Sequence, residues 1–148
     1  MTQKKKALTR LRDARGKLRD LEAARTAQAA ATCDQRERQL AGASRDLVSA
    51  VQQACDQMAR ARGIADLESV HDDLNAARGT VENARQSVQA AEASRRAAAQ
   101  VLGQRERELR TTERALDIVS TAERRDGDRR EQRMVDDLVG ARVSRREI

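Results

Sequence analysis

The most regular feature of the chain is an apolar seam in its second half. Starting at Leu67, steps of three and four residues give Leu67, Val70, Leu74, Ala77, Val81, Ala84, Val88 and Ala91. They continue through Arg95, Ala98, Leu102, Arg105, Leu109, Thr112, Leu116 and Val119. Thirteen of these sixteen positions are apolar and the register never slips. That is a heptad a/d seam, which predicts a coiled-coil helix. Many seam residues are alanine, so the partner helix has to approach closely. The positions between them are mostly Glu, Arg, Gln, Asp and Asn, as a solvated outer face requires.

The first half carries two shorter versions of the pattern. One is Leu11, Ala14, Leu18 and Leu21. The other is Leu40, Leu47, Val51, Ala54, Met58 and Ala61, with Ser44 in phase. The nineteen residues from Leu21 to Leu40 do not preserve the register, which predicts a stutter in the Ala-rich stretch 26–32. Between the halves, Arg60-Ala61-Arg62-Gly63 reads as a helix stop, and Asp66 as an N-cap for the next helix. A connection this short joins antiparallel helices. The expected fold is all-α: a single long antiparallel two-helix coiled-coil hairpin, with helices over about 3–61 and 67–145 and a turn over 62–66. Parallel dimers of single helices are the competing arrangement.

Composition sharpens this picture. The 148 residues include no Pro, Phe, Tyr or Trp and seven Gly, and 36% are charged. Without aromatic side chains a thick core is hard to build, while Ala, Arg, Glu, Leu and Gln favour long helices. No stretch approaches the 18 apolar residues of a membrane span, so no membrane insertion is expected. The charged start Met1–Lys6 has no apolar stretch behind it and does not read as a secretory leader, which makes the cytoplasm the expected compartment. Cys33 and Cys55 are too far apart on one helix to bridge, and both read as small buried thiols.

The net charge of +6 is local. Residues 1–25 carry nine positive and three negative side chains, residues 26–122 thirteen and fourteen, and residues 123–148 eight and seven. The basic start can meet nucleic acid, acidic lipid or an acidic protein surface, or serve as a solubilising helix end. Nucleic acid is disfavoured. Stacking aromatics are missing, and no clean basic block precedes a parallel zipper. At the other end, Met134, Val135, Leu138, Val139 and Ala141 follow the charge run 123–133. They form a small apolar patch, a docking candidate that can equally be a frayed terminus.

No catalytic constellation stands out. The one histidine, His71, sits beside Asp72 and Asp73 and reads as a surface residue. One His and two Cys at these spacings make no metal site, and no phosphate-binding or dinucleotide-binding loop occurs. A two-helix rod offers little concave interior. The expectation is a protein that is not an enzyme and uses no cofactor and no metal.

The C-terminal run gives the most specific motif. Glu131-Gln132-Arg133-Met134-Val135-Asp136-Asp137-Leu138, then Ala141-Arg142 and the basic Arg145-Arg146, resembles the corresponding segment of the FliJ/YscO/HrpO family of flagellar and type III secretion proteins. A hairpin with a shorter first and longer second helix resembles that family too. The resemblance implies a gamma-subunit-like central stalk inserted into the hexameric secretion ATPase and coupling it to the export-gate membrane protein, with secretion chaperones as further partners. It implies a location at the cytoplasmic face of the secretion apparatus. The ATPase-facing part would be the paired ends, 4–19 with 130–142. Its residues would be Lys4, Lys5, Lys6, Arg10 and Arg12 together with Gln132, Arg133, Val135, Asp136, Asp137 and Leu138. The gate contact would map to Val70, Leu74, Ala77 and Val81. The first is aromatic and the last histidine in flagellar members, so two valines here suggest a virulence-type or divergent member. All four also lie on the seam and can equally be core. The rivals to this function are a coiled-coil scaffold or spacer assembling through its C-terminal apolar patch, and a basic nucleic-acid-associated rod.

Overall fold

The structure, a computed structural model, describes residues 2–144, with side chains through Val139. Two helices make up the fold: α1, Gln3–Arg60, and α2, Ile64–Ser144. They pack as an antiparallel coiled-coil hairpin, and no strand occurs among the described residues. The chain divides into two compact units, one formed by residues 1–20 with 104–148 and the other by residues 21–103.

In the unit of residues 21–103, the turn is built by local hydrogen bonds. The Ala61 N–H donates to the Met58 carbonyl (3.3 Å), tightening the last turn of α1. Asp66 is not an N-cap. It lies in the first turn of α2, where its Oδ2 accepts the Arg62 N–H at 3.0 Å. A carboxylate reaching back from this position satisfies a free donor and sits favourably at the positive end of the helix.

The seam of this unit runs, on α1, through Glu22, Thr26, Ala29, Cys33, Leu40, Ala43, Leu47, Ala50, Ala54 and Ala61, all buried or half-buried. Exposed Arg36 and Gln57 fill the remaining heptad positions. Its deepest apolar residues are Cys33 (fully buried), Ala54, Val70, Val81 and Ala91. The steps of three and four pass through 26–33 without a slip, so the expected stutter is not there. Ala43 and Ala50 take the inward places expected for Ser44 and Val51, and both of those are exposed, as is Met58. Small side chains let α1 sit close to the alanine-rich face of α2, whereas Val51 and Met58 would hold it off. Leu21 is also exposed. On α2 the seam follows the heptad pattern. Only Leu67, at the turn, and Arg95, whose charge stays in solvent, are exposed.

The unit of residues 1–20 and 104–148 is held together differently. The inward positions of its α1 segment are Lys5, Leu8, Arg12, Arg15 and Arg19. The expected seam residues Leu11, Ala14 and Leu18 are exposed instead. They lie one residue off the contact line, and basic side chains lie on it. Their long stems cover apolar surface while their heads reach polar partners. The inward α2 positions are Arg105, Leu109, Thr112, Leu116 and Val119. Thr112 is 2% exposed.

Candidate functional site

Two features of the terminal unit set its character. The first is a polar seam. Arg15 Nη1 donates to Thr112 Oγ1 (2.6 Å) and to the Glu108 carbonyl (2.8 Å). Thr112 passes its own proton back to the Glu108 carbonyl at 2.9 Å. Arg12 and Arg19 bind the neighbouring carboxylates of Asp13 and Asp20, each at 2.7 Å. Arg19 Nε and Arg105 Nε are buried without a partner among the described residues. Unmet buried donors cost stability, so this seam is intrinsically weaker than an apolar one.

The second feature is a clamp at the start of α1. Thr2 caps the helix: its hydroxyl accepts the Lys5 N–H (3.4 Å) and its carbonyl the Lys6 N–H (3.2 Å). The same hydroxyl donates to Glu123 on α2, as does the Thr2 N–H (3.0 Å), and Lys5 Nζ lies 3.3 Å from the other carboxylate oxygen. The hydrogen bonds from the Thr2 side chain and backbone, helped by Lys5, hold the Glu123 carboxyl down at about 2. Neither the polar seam nor the clamp was foreseen. Both depend on register, and polar side chains at heptad spacing read as solvated surface.

Beyond Glu123, α2 has no partner among the described residues. From Arg124 to Val139 every side chain is exposed except half-buried Gly127. Met134, Val135, Leu138 and Val139 are 54–62% exposed. Gln132, Arg133, Asp136 and Asp137 are exposed around them, with Gln132 Nε2 donating to Asp136 at 3.4 Å. At the other chain end, Lys4, Lys6 and Arg10 are exposed, while Lys5 and Arg12 are half-buried in the seam. Both halves of the expected ATPase-facing set thus belong to one compact unit. The side chains of Ala141 and Arg142, and all of Arg145 and Arg146, lie outside the description.

The expected gate set sits in the other unit. Val70 and Val81 are each 5% exposed, and Leu74 and Ala77 are half-buried. Next to them on the outer face, Ile64 and Leu67 are exposed, and Asn75 Nδ2 donates to His71 Nε2 at 2.8 Å. Cys55 is exposed, correcting the expectation that both thiols are buried. Among the described residues no His, Cys, Asp and Glu cluster could hold a metal ion, and no helix is long and apolar enough to cross a membrane.

The family described as flagellar FliJ protein matches residues 4–147, nearly the whole chain. The chain belongs to the FliJ family. No curated protein and no solved structure matches it. FliJ proteins are components of the flagellar export apparatus, and membership gives the chain that place.

Proposed function

We propose that this chain is the central stalk and coupling protein of a type III export apparatus, acting in the cytoplasm. In this reading the terminal unit enters the hexameric export ATPase, and the unit containing the turn contacts the export-gate membrane protein. The main support is the uncovered end of α2. From Arg124 to Ser144 it runs 21 residues past the clamp, about 32 Å at 1.5 Å per residue, and bears exposed Met134, Val135, Leu138 and Val139. Apolar side chains on an unpaired helix favour a partner that covers them. The basic residues Lys4, Lys5, Lys6, Arg10 and Arg12 belong to the same unit and would steer it toward an acidic partner surface.

The gate contact is assigned to the segment holding Val70, Leu74, Ala77 and Val81. Burial of Val70 and Val81 gives them the role of fixing the helix pair, with exposed neighbours such as Leu67 and His71 meeting the partner. Chaperones remain further partners in this reading.

Truncation after Glu123 tests the ATPase part. The shortened chain is expected to keep its helicity and clamp but lose capture by the cognate export ATPase. Undiminished capture would reject the assignment. A full-length dimer that the truncation converts to monomer would favour the scaffold alternative.

A further inference from the structure

The leucines displaced from the seam form a stripe of their own. Ala7, Leu11, Ala14 and Leu18 follow one another in steps of four, three and four, each one residue ahead of the inward positions Leu8, Arg12, Arg15 and Arg19. All four are exposed, with Leu11 at 42% and Leu18 at 44%. Apolar side chains at heptad spacing are what one helix presents to another. Here α2 packs against the neighbouring face, so the stripe lies open.

Its edge is charged. One turn row beside it holds Lys6, Arg10, Asp13 and Lys17. Asp13 is taken by Arg12. Lys6, Arg10 and Lys17 have no carboxylate within ion-pair distance among the described residues.

We propose that this stripe is a docking surface for an acidic amphipathic helix of another protein. Apolar residues of that helix pack between Leu11 and Leu18, over the small Ala14, while its Glu or Asp edge meets Lys6, Arg10 and Lys17. Charge complementarity selects this occupant. A second copy of the chain would bring the same cations against each other, which heptad pairing disfavours. An anionic lipid surface would want a broad apolar face with aromatic anchors, and this one is narrow, with two leucines and no aromatic residue. The surface lies within segment 4–19 and shares Lys6 and Arg10 with the residues assigned to the ATPase, so Leu11 and Leu18, which are not among those residues, are the positions that separate the two readings.

The test is fluorescence anisotropy with the full chain and a labelled three-heptad peptide carrying Leu and Ala at a and d and Glu at e and g. Saturable binding is expected. Leu11→Asp with Leu18→Asp should weaken it at least about tenfold, the scale of losing an interface anchor. Arg10→Glu with Lys17→Glu should weaken it similarly and confer binding to the matching Lys-edged peptide. The charge variant keeps the test decisive if the leucine variant perturbs the helix. Absence of binding, or binding unchanged in both variants, overturns the proposal. So does a leucine-dependent dimer in light scattering, or leucine-dependent capture by phosphatidylserine vesicles without peptide binding.

Discussion

Arg15 on α1 reaches across the seam to Thr112 on α2, donating to its buried hydroxyl at 2.6 Å. This bond and its companion to the Glu108 carbonyl fix the pairing of the terminal unit with polar groups where a coiled coil ordinarily uses apolar ones. Taking the guanidinium out of water offsets much of what the bonds contribute. Arg15→Ala should destabilise the chain by about 1–2 kcal/mol in chemical denaturation, the range for a charge-assisted bond. Arg15→Leu combined with Thr112→Leu should match or exceed the stability of the parent, because an apolar pair replaces both partners. A double variant weaker than either single one would show that the polar pair stabilises the fold outright.

The Glu123 clamp makes the terminal unit acid-sensitive. Its carboxyl, ordinarily near 4.5, is held at about 2 by the two Thr2 bonds and Lys5. A depressed carboxyl stabilises the folded state above the ordinary value, and that contribution is lost as pH falls from about 4.5 toward 2. The protection of the first turn of α1 against hydrogen exchange, relative to the free-chain rate at each pH, should therefore fall through this window. In Glu123→Gln the same turn should exchange faster at neutral pH and show a flatter acid profile. An acid profile unchanged by the substitution would assign the effect to other carboxylates.

Much of the fold was legible because α2 states its register plainly. Val70, Val81 and Ala91 lie in the core where their heptad positions put them. On α1 hydrophobicity and register point to different faces. Leu11, Leu18 and Leu21 look like seam residues, yet they are exposed at 42–49%. In the terminal unit the contact line runs through Arg12, Arg15 and Arg19, and no apolar residue marks it there. Val51 is bulkier than Ala50, yet Ala50 is the inward residue of the two. The uncovered end of α2 was legible as composition, from the charge run and the Met134–Val139 patch. The point at which α1 stops covering it depends on Thr2 and Glu123, 121 residues apart, a pairing that local pattern cannot contain.

The two cysteines should differ sharply. Cys33 is fully buried, and desolvation, then the Glu37 carboxylate, pushes its thiol up. Cys55 is exposed. Since the thiolate is the reactive form, a disulfide reagent should label Cys55 promptly and Cys33 only as the hairpin opens. Two equally fast thiols would mean that the seam around Cys33 opens readily, contrary to its packing.

The central claim is that the terminal unit acts on the export ATPase through the uncovered end of α2. The most direct measurement is ATP hydrolysis by the cognate hexamer as the chain is titrated in. Stimulation is expected with the parent chain. Val135→Asp with Leu138→Asp, both at exposed positions, should raise the half-maximal concentration at least about tenfold with unchanged circular dichroism. Equal stimulation by parent and variant, or a hydrolysis rate indifferent to the parent chain, would contradict it.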